Sequence, residues 1–231
     1  GKALSLDADC SCGAKLRLCP AWDGVFGALK SSWGADVRTD PYGYRLWDAL
    51  ASNQIDSAHQ TTALRLMVGW RKGMMELRER APSGLRPVLL PGVLTEALHN
   101  KAHLYRTLAT RWNKEVLVDS SKSMREALEL NRMWPDAVKV VLLTRDGRGV
   151  YLSRRSSGRT REQAIAGWLN YYSRALPLSA KLLPQSGLLH LRYEDLAADP
   201  ERTARKLCDF VGLAFEVSML ELGKATRHLV N

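Results

Sequence analysis

The sequence has few cysteines and no long apolar run, and each absence excludes a class of protein. Four cysteines in 231 residues are too few for a disulfide-based scaffold. No apolar stretch is long enough to span a bilayer, so we expect no membrane span. The first ten residues, GKALSLDADC, have too short and broken an apolar content for a signal peptide. We therefore expect a cytoplasmic protein in a reducing environment.

Acidic residues are in the minority. The chain has 34 lysines and arginines against 24 aspartates and glutamates, a formal net charge of +10. This balance favours an anionic partner, such as nucleic acid, an anionic membrane, or a phosphorylated or sulfated small molecule. A basic surface that serves only solubility is the alternative. No known pattern of a nucleic-acid-binding module is present, so we expect no nucleic-acid partner.

The length predicts a single domain, and its pattern changes along the chain. Residues 1–24 are an irregular, cysteine-containing loop segment, residues 25–113 are mostly helical, residues 114–213 alternate strands with helices, and residues 214–231 are a C-terminal segment. Three apolar runs predict buried strands: 115–119 (EVLVD), 138–144 (VKVVLLT) and 188–193 (LLHLRY). This alternation predicts an α/β fold with a parallel sheet and helices on both faces.

A polar cluster lies at the end of each predicted strand. The clusters are Asp119-Ser120-Ser121-Lys122, Arg145-Asp146 and Arg192-Tyr193-Glu194-Asp195. Ligands of parallel α/β sheets bind at the carboxyl ends of the strands, so three neighbouring clusters with a cation each predict an anion site. An ion pair between Arg145 and Asp146 is the alternative for that arginine.

Several of these segments resemble sulfotransferases that use 3′-phosphoadenosine 5′-phosphosulfate (PAPS). RDGRGVYLS (145–153) is similar to the family's 3′-phosphate-binding segment, in which a serine lies eight residues after a strand-closing arginine. LRYEDLAADPERTARKLCDFVGL (191–213) is similar to a later strand–loop–helix block. VDSSKS (118–123) resembles a segment of bacterial members, and CSCGAKLRLCPAW (10–22) resembles a stretch found in a bacterial subset.

The resemblance implies a P-loop-NTPase-like three-layer fold, in which helices flank a central parallel sheet and a helical insertion lies on the substrate side. Residues 114–213 would be the cofactor-binding core, and residues 25–113 the substrate region. The implied activity is transfer of a sulfuryl group from PAPS to a hydroxyl, or an amine, of a small-molecule or glycan acceptor. The product nucleotide is 3′,5′-ADP (PAP), no metal is required, and a homodimer is left open.

The resemblance also assigns site residues. Arg145 and Ser153 would bind the 3′-phosphate, and Tyr193 would approach the adenine. Lys122 would lie near the sulfate and stabilise the leaving group. The alternative for Ser153 is a helix-face serine that bonds to its own helix. One or two of the arginines at 148, 154, 155, 159 and 161 would reach the 3′-phosphate, and the rest would form a solvated basic face.

The reaction needs a general base that deprotonates the acceptor. His99 is our candidate, because it lies in a helix that could border the cleft, and Glu96 lies one turn earlier on the same helix. His190 alternates within a predicted strand, so we expect it to be buried.

The chain shows no phosphate loop of the RSGST type, which in the family binds the 5′-phosphosulfate and precedes a general-base glutamate. We expect that the given sequence omits this loop. The alternative is a degenerate, non-catalytic nucleotide-binding homologue. A P-loop small-molecule kinase is a further alternative, although its GxxxxGK[ST] motif is absent from the chain.

Three cysteines lie close together in sequence, at Cys10, Cys12 and Cys19. Thiolates are good zinc ligands, but no fourth ligand is evident and the paired CxxC spacing is missing. We therefore expect no metal site and a local loop packed by Trp22. A disulfide from Cys19 to Cys10 or Cys12 is the alternative under oxidation.

Overall fold

A computed structural model describes residues 8–10, 12–34, 36–40, 62–82, 85, 92–120 and 124–221. The chain divides into two compact units, one of residues 1–120 with 226–231 and one of residues 121–225. Among the described helices, none is both long enough and apolar enough to cross a membrane.

The first unit is helical in its described part. Its helices are α1 (Pro20–Trp33), α2 (Thr62–Arg80) and α3 (Gly92–Trp112), and a short 3-10 helix covers Leu16–Leu18. Helix α1 begins inside the segment that the sequence predicted to be irregular. The reason is local: Cys19 takes an extended N-cap conformation, and Pro20 occupies the first helical turn, where its missing N–H costs nothing.

The core of the first unit joins α1 to α3. Val25, Phe26 and Leu108 are buried there, and Trp22 stacks on Phe26 with ring centroids 5.9 Å apart. The indole N–H of Trp112 donates to the Ala21 carbonyl at 2.9 Å, which ties the end of α3 to the start of α1. Truncating Phe26 to alanine would cost about 3–5 kcal/mol, the usual cost for a buried aromatic side chain.

The second unit contains the sheet. Its elements are α4 (Met124–Met133), β1 (Val140–Thr144), α5 (Gly147–Ser156), α6 (Arg161–Leu182), β2 (Leu188–Arg192), α7 (Tyr193–Ala198) and α8 (Pro200–Val211), with 3-10 helices at Gln185–Gly187 and Val217–Leu220. β1 and β2 pair in parallel, from Val140 beside Leu188 to Thr144 beside Arg192. Two of the three predicted strands are thus confirmed, and the described elements combine many helices with a small parallel sheet.

Local sequence signals set the helix ends of this unit. The Asp199 carboxylate accepts a hydrogen bond from the Arg202 backbone N–H at 3.0 Å, and Pro200 begins α8. Gly212 ends α8 with a φ of 80°, in the left-handed region that glycine adopts without strain. Gly158 has the same positive φ and separates α5 from α6.

The prediction of a strand at residues 115–119 is wrong. Residues 116–120 have no regular secondary structure, and the Val118 side chain is 91% exposed. The carboxylate of Asp119 accepts a hydrogen bond from the Tyr105 hydroxyl and lies 3.4 Å from the Lys101 Nζ, both on α3. An apolar run forms a strand only where a neighbour completes its backbone hydrogen bonds, and the run itself does not encode that neighbour.

Candidate functional site

The carboxyl ends of β1 and β2 bring two predicted site residues together. Because Thr144 pairs with Arg192, the next residues, Arg145 and Tyr193, emerge at the same edge of the sheet. The Cζ atom of Arg145 lies 4.4 Å from the centroid of the Tyr193 ring. A cation held by the face of a ring keeps its N–H donors for an acceptor such as phosphate.

Helix α6 holds the backbone of Arg145 on both sides. The Arg145 N–H donates to the Tyr172 hydroxyl at 3.0 Å, and the Trp168 indole N–H donates to the Arg145 carbonyl at 3.2 Å. The two aromatic residues are one helical turn apart, with ring centroids 5.0 Å apart. Sequence reasoning missed this anchor, although aromatic residues four positions apart on a helix are a readable signal of a shared face.

The carboxylate of Asp146 is committed to a different arginine. It caps α5 by accepting from the Arg148 backbone N–H at 2.8 Å, and it also binds the Arg148 guanidinium at 2.9 and 3.0 Å. The side-chain hydrogen bond from Arg148 lowers the pKa of Asp146 to about 2. Within the described part of the chain, Arg145 therefore makes no ion pair, and the predicted alternative of an Arg145–Asp146 pair is wrong.

Glu194 links the two strand ends. Its carboxylate accepts from the Asp146 backbone N–H at 2.9 Å, and this hydrogen bond is the main cause that lowers the pKa of Glu194. The same carboxylate lies 4.0 Å from Arg192 Nε. Glu194 therefore ties the turn that follows β1 to the end of β2.

Two glycines permit close approaches at the start of α5. A Cβ on Gly147 would lie 3.2 Å from the Trp168 ring, and a Cβ on Gly149 would lie 3.0 Å from the Arg145 Nε. The Arg145 side chain therefore lies against the first turn of α5. Ser153 follows Gly149 by four residues, so it lies one turn further along the same helix face.

The Ser153 side chain differs from the serines that follow it. The hydroxyls of Ser156 and Ser157 bond back to the Ser153 carbonyl at 2.8 and 3.0 Å. The Ser153 hydroxyl is exposed and makes no hydrogen bond among the residues described here. Back-bonding to the helix, the alternative predicted for Ser153, thus occurs in its neighbours and not in Ser153.

The other arginines of α5 have local contacts. The Arg148 side chain is almost fully exposed and paired with Asp146. Arg155 donates to the Arg159 carbonyl at 2.8 Å. Arg154 is half-buried and packs on α6, where a Cβ on Gly167 would overlap its Nη1 atom.

Two further predicted residues have different outcomes. Lys122 lies outside the described residues. His190 is exposed, so the expectation that it is buried is wrong. Its Nε2 atom lies 2.8 Å from the Thr144 hydroxyl at the end of β1. This hydroxyl gives the imidazole a polar partner, which it would not have in an apolar core.

His99 lies on α3, in the first unit, and is exposed. Its Nδ1 lies 2.9 Å from the Thr95 carbonyl, which can only accept, so the proton is on Nδ1. The same helix carries the buried Lys101, whose ion pair with Asp119 sequence reasoning also missed.

The three clustered cysteines are the described residues that could hold a metal ion. Their sulfur atoms all lie within 4.8 Å of one another, in the first unit.

Comparison with known proteins identifies the class. A model of the sulfotransferase family matches residues 35–217, more than three quarters of the chain. Searches of curated proteins and of solved structures each returned no significant match. The matched range includes both strands, α5 and the contact between Arg145 and Tyr193. The resemblance to sulfotransferases is thus confirmed, and the chain belongs to the sulfotransferase family.

Proposed function

We propose that the protein is a PAPS-dependent sulfotransferase, which transfers a sulfuryl group to a hydroxyl, or an amine, of a small-molecule or glycan acceptor. Sulfotransfer is the activity of the family. The choice of PAPS as the sulfuryl donor rests on the contact of the Arg145 guanidinium with the Tyr193 ring. Within the described residues this cation at the strand ends has no carboxylate partner, and a phosphate would supply the missing negative charge.

The donor nucleotide matches this arrangement in two ways. Arg145 and Ser153 would bind its 3′-phosphate, the guanidinium by paired N–H bonds and the serine by its hydroxyl. Tyr193 would contact the adenine through its ring, because flat aromatic groups pack well against each other. The net charge of +10 would attract a polyanionic nucleotide before any contact forms.

In this proposal the two strands belong to the central sheet of a P-loop-NTPase-like three-layer fold within a single sulfotransferase domain. Residues 114–213 form its cofactor-binding core, and residues 25–113 its substrate region. The enzyme would be a bacterial, cytoplasmic protein. The likeness of residues 118–123 and 10–22 to bacterial members supports the bacterial origin.

The chemistry assigns a role to each remaining residue. PAPS supplies an activated sulfuryl group on a phosphate leaving group. Lys122 provides a positive charge for the phosphate oxygen on which negative charge develops. His99 accepts the proton of the acceptor hydroxyl. Arg145 and Ser153 hold the distant end of the nucleotide, and the transfer step requires no metal.

Nucleotide binding and sulfuryl transfer test this proposal separately. Thermal melts with 3′,5′-ADP, AMP, ADP and magnesium ATP measure binding, and transfer of ³⁵S from labelled PAPS to an acceptor panel measures activity. We expect 3′,5′-ADP to raise the melting temperature most, because AMP and ADP lack the 3′-phosphate. Equal stabilisation by AMP and ADP would contradict the 3′-phosphate assignment.

The remaining outcomes distinguish the alternatives. Preferential binding of magnesium ATP would indicate a kinase. Tight binding of 3′,5′-ADP by the full-length protein without ³⁵S transfer to any acceptor would indicate a non-catalytic homologue.

A further inference from the structure

The cysteine cluster in the first unit has the dimensions of a metal site. The Cys19 sulfur lies 3.6 Å from the Cys12 sulfur and 3.6 Å from the Cys10 sulfur, and all three sulfurs lie within 4.8 Å. A tetrahedral zinc ion with Zn–S bonds of about 2.3 Å holds its sulfur ligands about 3.8 Å apart. Three thiolates could therefore bind one zinc ion if the two short sulfur–sulfur distances lengthen by about 0.2 Å and the third, at most 4.8 Å, shortens by up to about 1 Å.

A tight hairpin presents two of these sulfurs. An antiparallel bridge joins Asp9 to Lys15, and inside it the Cys10 N–H donates to the Ala14 carbonyl at 2.8 Å. The Gly13 N–H donates back to the Cys10 carbonyl at 2.9 Å, and Gly13 has a φ of 89°, which a side chain would strain. The turn thus directs Cys10 and Cys12 toward Cys19 although only one residue separates them.

The third sulfur lies at the start of a helix. Cys19 is the N-cap of α1, and its backbone carbonyl accepts hydrogen bonds from the N–H groups of Trp22 and Asp23 at 2.9 and 3.0 Å. These hydrogen bonds fix the backbone of Cys19 at the start of the helix, where its buried side chain lies beside the hairpin.

A zinc ion accounts for the arrangement better than a disulfide does. A disulfide would join two of the sulfurs and exclude the third, whereas Cys19 is equally close to both of the others. All four cysteines of the chain are described, and none forms a disulfide. Cys10 and Cys19 are buried and Cys12 is exposed, so the cluster has a solvent side through which an ion can enter.

We propose that Cys10, Cys12 and Cys19 bind a structural zinc ion as thiolates, and that the ion fastens the hairpin of residues 9–15 to the start of α1. Each thiol releases its proton to solvent as its Zn–S bond forms, and no oxidation or reduction takes place. A water molecule takes the fourth position. The inference does not depend on the nucleotide site, because Arg145 and Tyr193 are in the other unit.

Metal analysis of matched variants tests the proposal. The full chain is produced with zinc in the medium and purified without chelators, and zinc is measured by mass spectrometry. We expect about one zinc per chain, and at least about tenfold weaker retention against a competing chelator in Cys12→Ser. Cys208→Ser is the control, because that buried thiol lies in α8, 3.7 Å from the Met219 sulfur, outside the cluster.

A second measurement needs no variant. Cobalt(II) reconstitution of the wild-type chain should give the charge-transfer absorption of a tetrahedral thiolate site, and zinc should abolish it. X-ray absorption should show three sulfur neighbours at about 2.3 Å from zinc. The proposal fails if the reconstituted wild-type chain holds no stoichiometric metal, or if Cys12→Ser retains zinc as well as Cys208→Ser does. A protein two mass units lighter, restored by a reductant, would indicate a disulfide instead.

Discussion

Arg145→Ala removes the group on which the nucleotide proposal depends. The substitution deletes a guanidinium that has no ion pair within the described residues and lies on the Tyr193 ring. It leaves the Arg145 backbone hydrogen bonds to Trp168 and Tyr172 intact. We therefore expect nucleotide affinity to change much more than the stability of the nucleotide-free chain. Loss of the contact with Tyr193 should lower that stability by only about 0.5–1 kcal/mol.

The expected loss of affinity follows from the hydrogen bonds that a guanidinium makes to a phosphate. Two charge-assisted bonds at about 1.5 kcal/mol each amount to about 3 kcal/mol, or about 150-fold in Kd. At a 3′,5′-ADP concentration of about 100 times the wild-type Kd, bound nucleotide stabilises the wild-type protein by about 2.7 kcal/mol. The same concentration would stabilise the variant by only about 0.3 kcal/mol.

Thermal melts and calorimetry measure this difference directly. For a chain of this size, about 2.7 kcal/mol corresponds to a rise in Tm of about 5–11 °C, and the variant should show about 1 °C. Arg202→Ala is the matched control, since it removes the same single charge from an exposed side chain of α8 that pairs with Asp199. The control should keep the wild-type shift, because Arg202 lies in none of the polar clusters that follow the strands.

Two results would refute the reasoning. A Kd for Arg145→Ala within about threefold of the wild-type value would mean that the guanidinium does not bind the phosphate. An equal loss of affinity in Arg202→Ala would mean that the overall positive charge, and not a particular contact, attracts the nucleotide.

Three further substitutions test neighbouring parts of the site. Ser153→Ala should weaken 3′,5′-ADP binding about tenfold in isothermal calorimetry, which is the effect of about one hydrogen bond to a charged group. Ser157→Ala is the control and should not weaken binding, because it removes only the hydrogen bond to the Ser153 carbonyl. Equal effects of the two substitutions would contradict the role of Ser153. Gly149→Ala should also reduce nucleotide affinity, because the new Cβ would lie 3.0 Å from the Arg145 Nε, which must then move. Gly24→Ala, where the new Cβ has no described atom within 4 Å, should instead raise Tm through helix propensity. Wild-type affinity in Gly149→Ala would contradict the position of the Arg145 side chain. Asp146 has a folded-state pKa of about 2, below its ordinary value of 3.8, so its contribution to stability is present above about pH 4 and is lost as the pH falls toward about 2. Thermal melts of Asp146→Asn should therefore show a smaller loss of Tm over that range than wild type, and parallel curves would contradict the assignment.

Local patterns in the sequence were sufficient for much of the second unit. The runs at β1 and β2, the break at Gly158, and the Asp199 and Gly212 ends of α8 are signals carried by a few adjacent residues. The same holds for the family, because the spacing of Arg145 and Ser153 is readable without a structure. Such features are predictable since the residues that cause them are close in the chain.

The failures share a physical cause. Residues 115–119 have the composition of a strand but no strand, because pairing depends on a neighbour from elsewhere in the chain. The arginine that binds Asp146 could not be predicted either, because Arg145 and Arg148 are both near it in sequence. The turn into α5 places Arg148, and not Arg145, against the Asp146 carboxylate. His190 was expected in the core for its alternation, yet it bonds to Thr144 at the strand end.

The sequence by itself determined the family, the basic charge, the two paired strands and the residues that end them, because each depends on composition or on short-range pattern. Only the tertiary structure decided which arginine pairs with Asp146, which one lies on the Tyr193 ring, and which sulfurs meet. Arg145 is held by aromatic residues of α6 and lies on Tyr193, 48 positions away in the chain. Cys10, Cys12 and Cys19 converge because a hairpin turns back to the start of α1. Contacts of this kind depend on distances between segments, and those distances are set by how the whole unit packs.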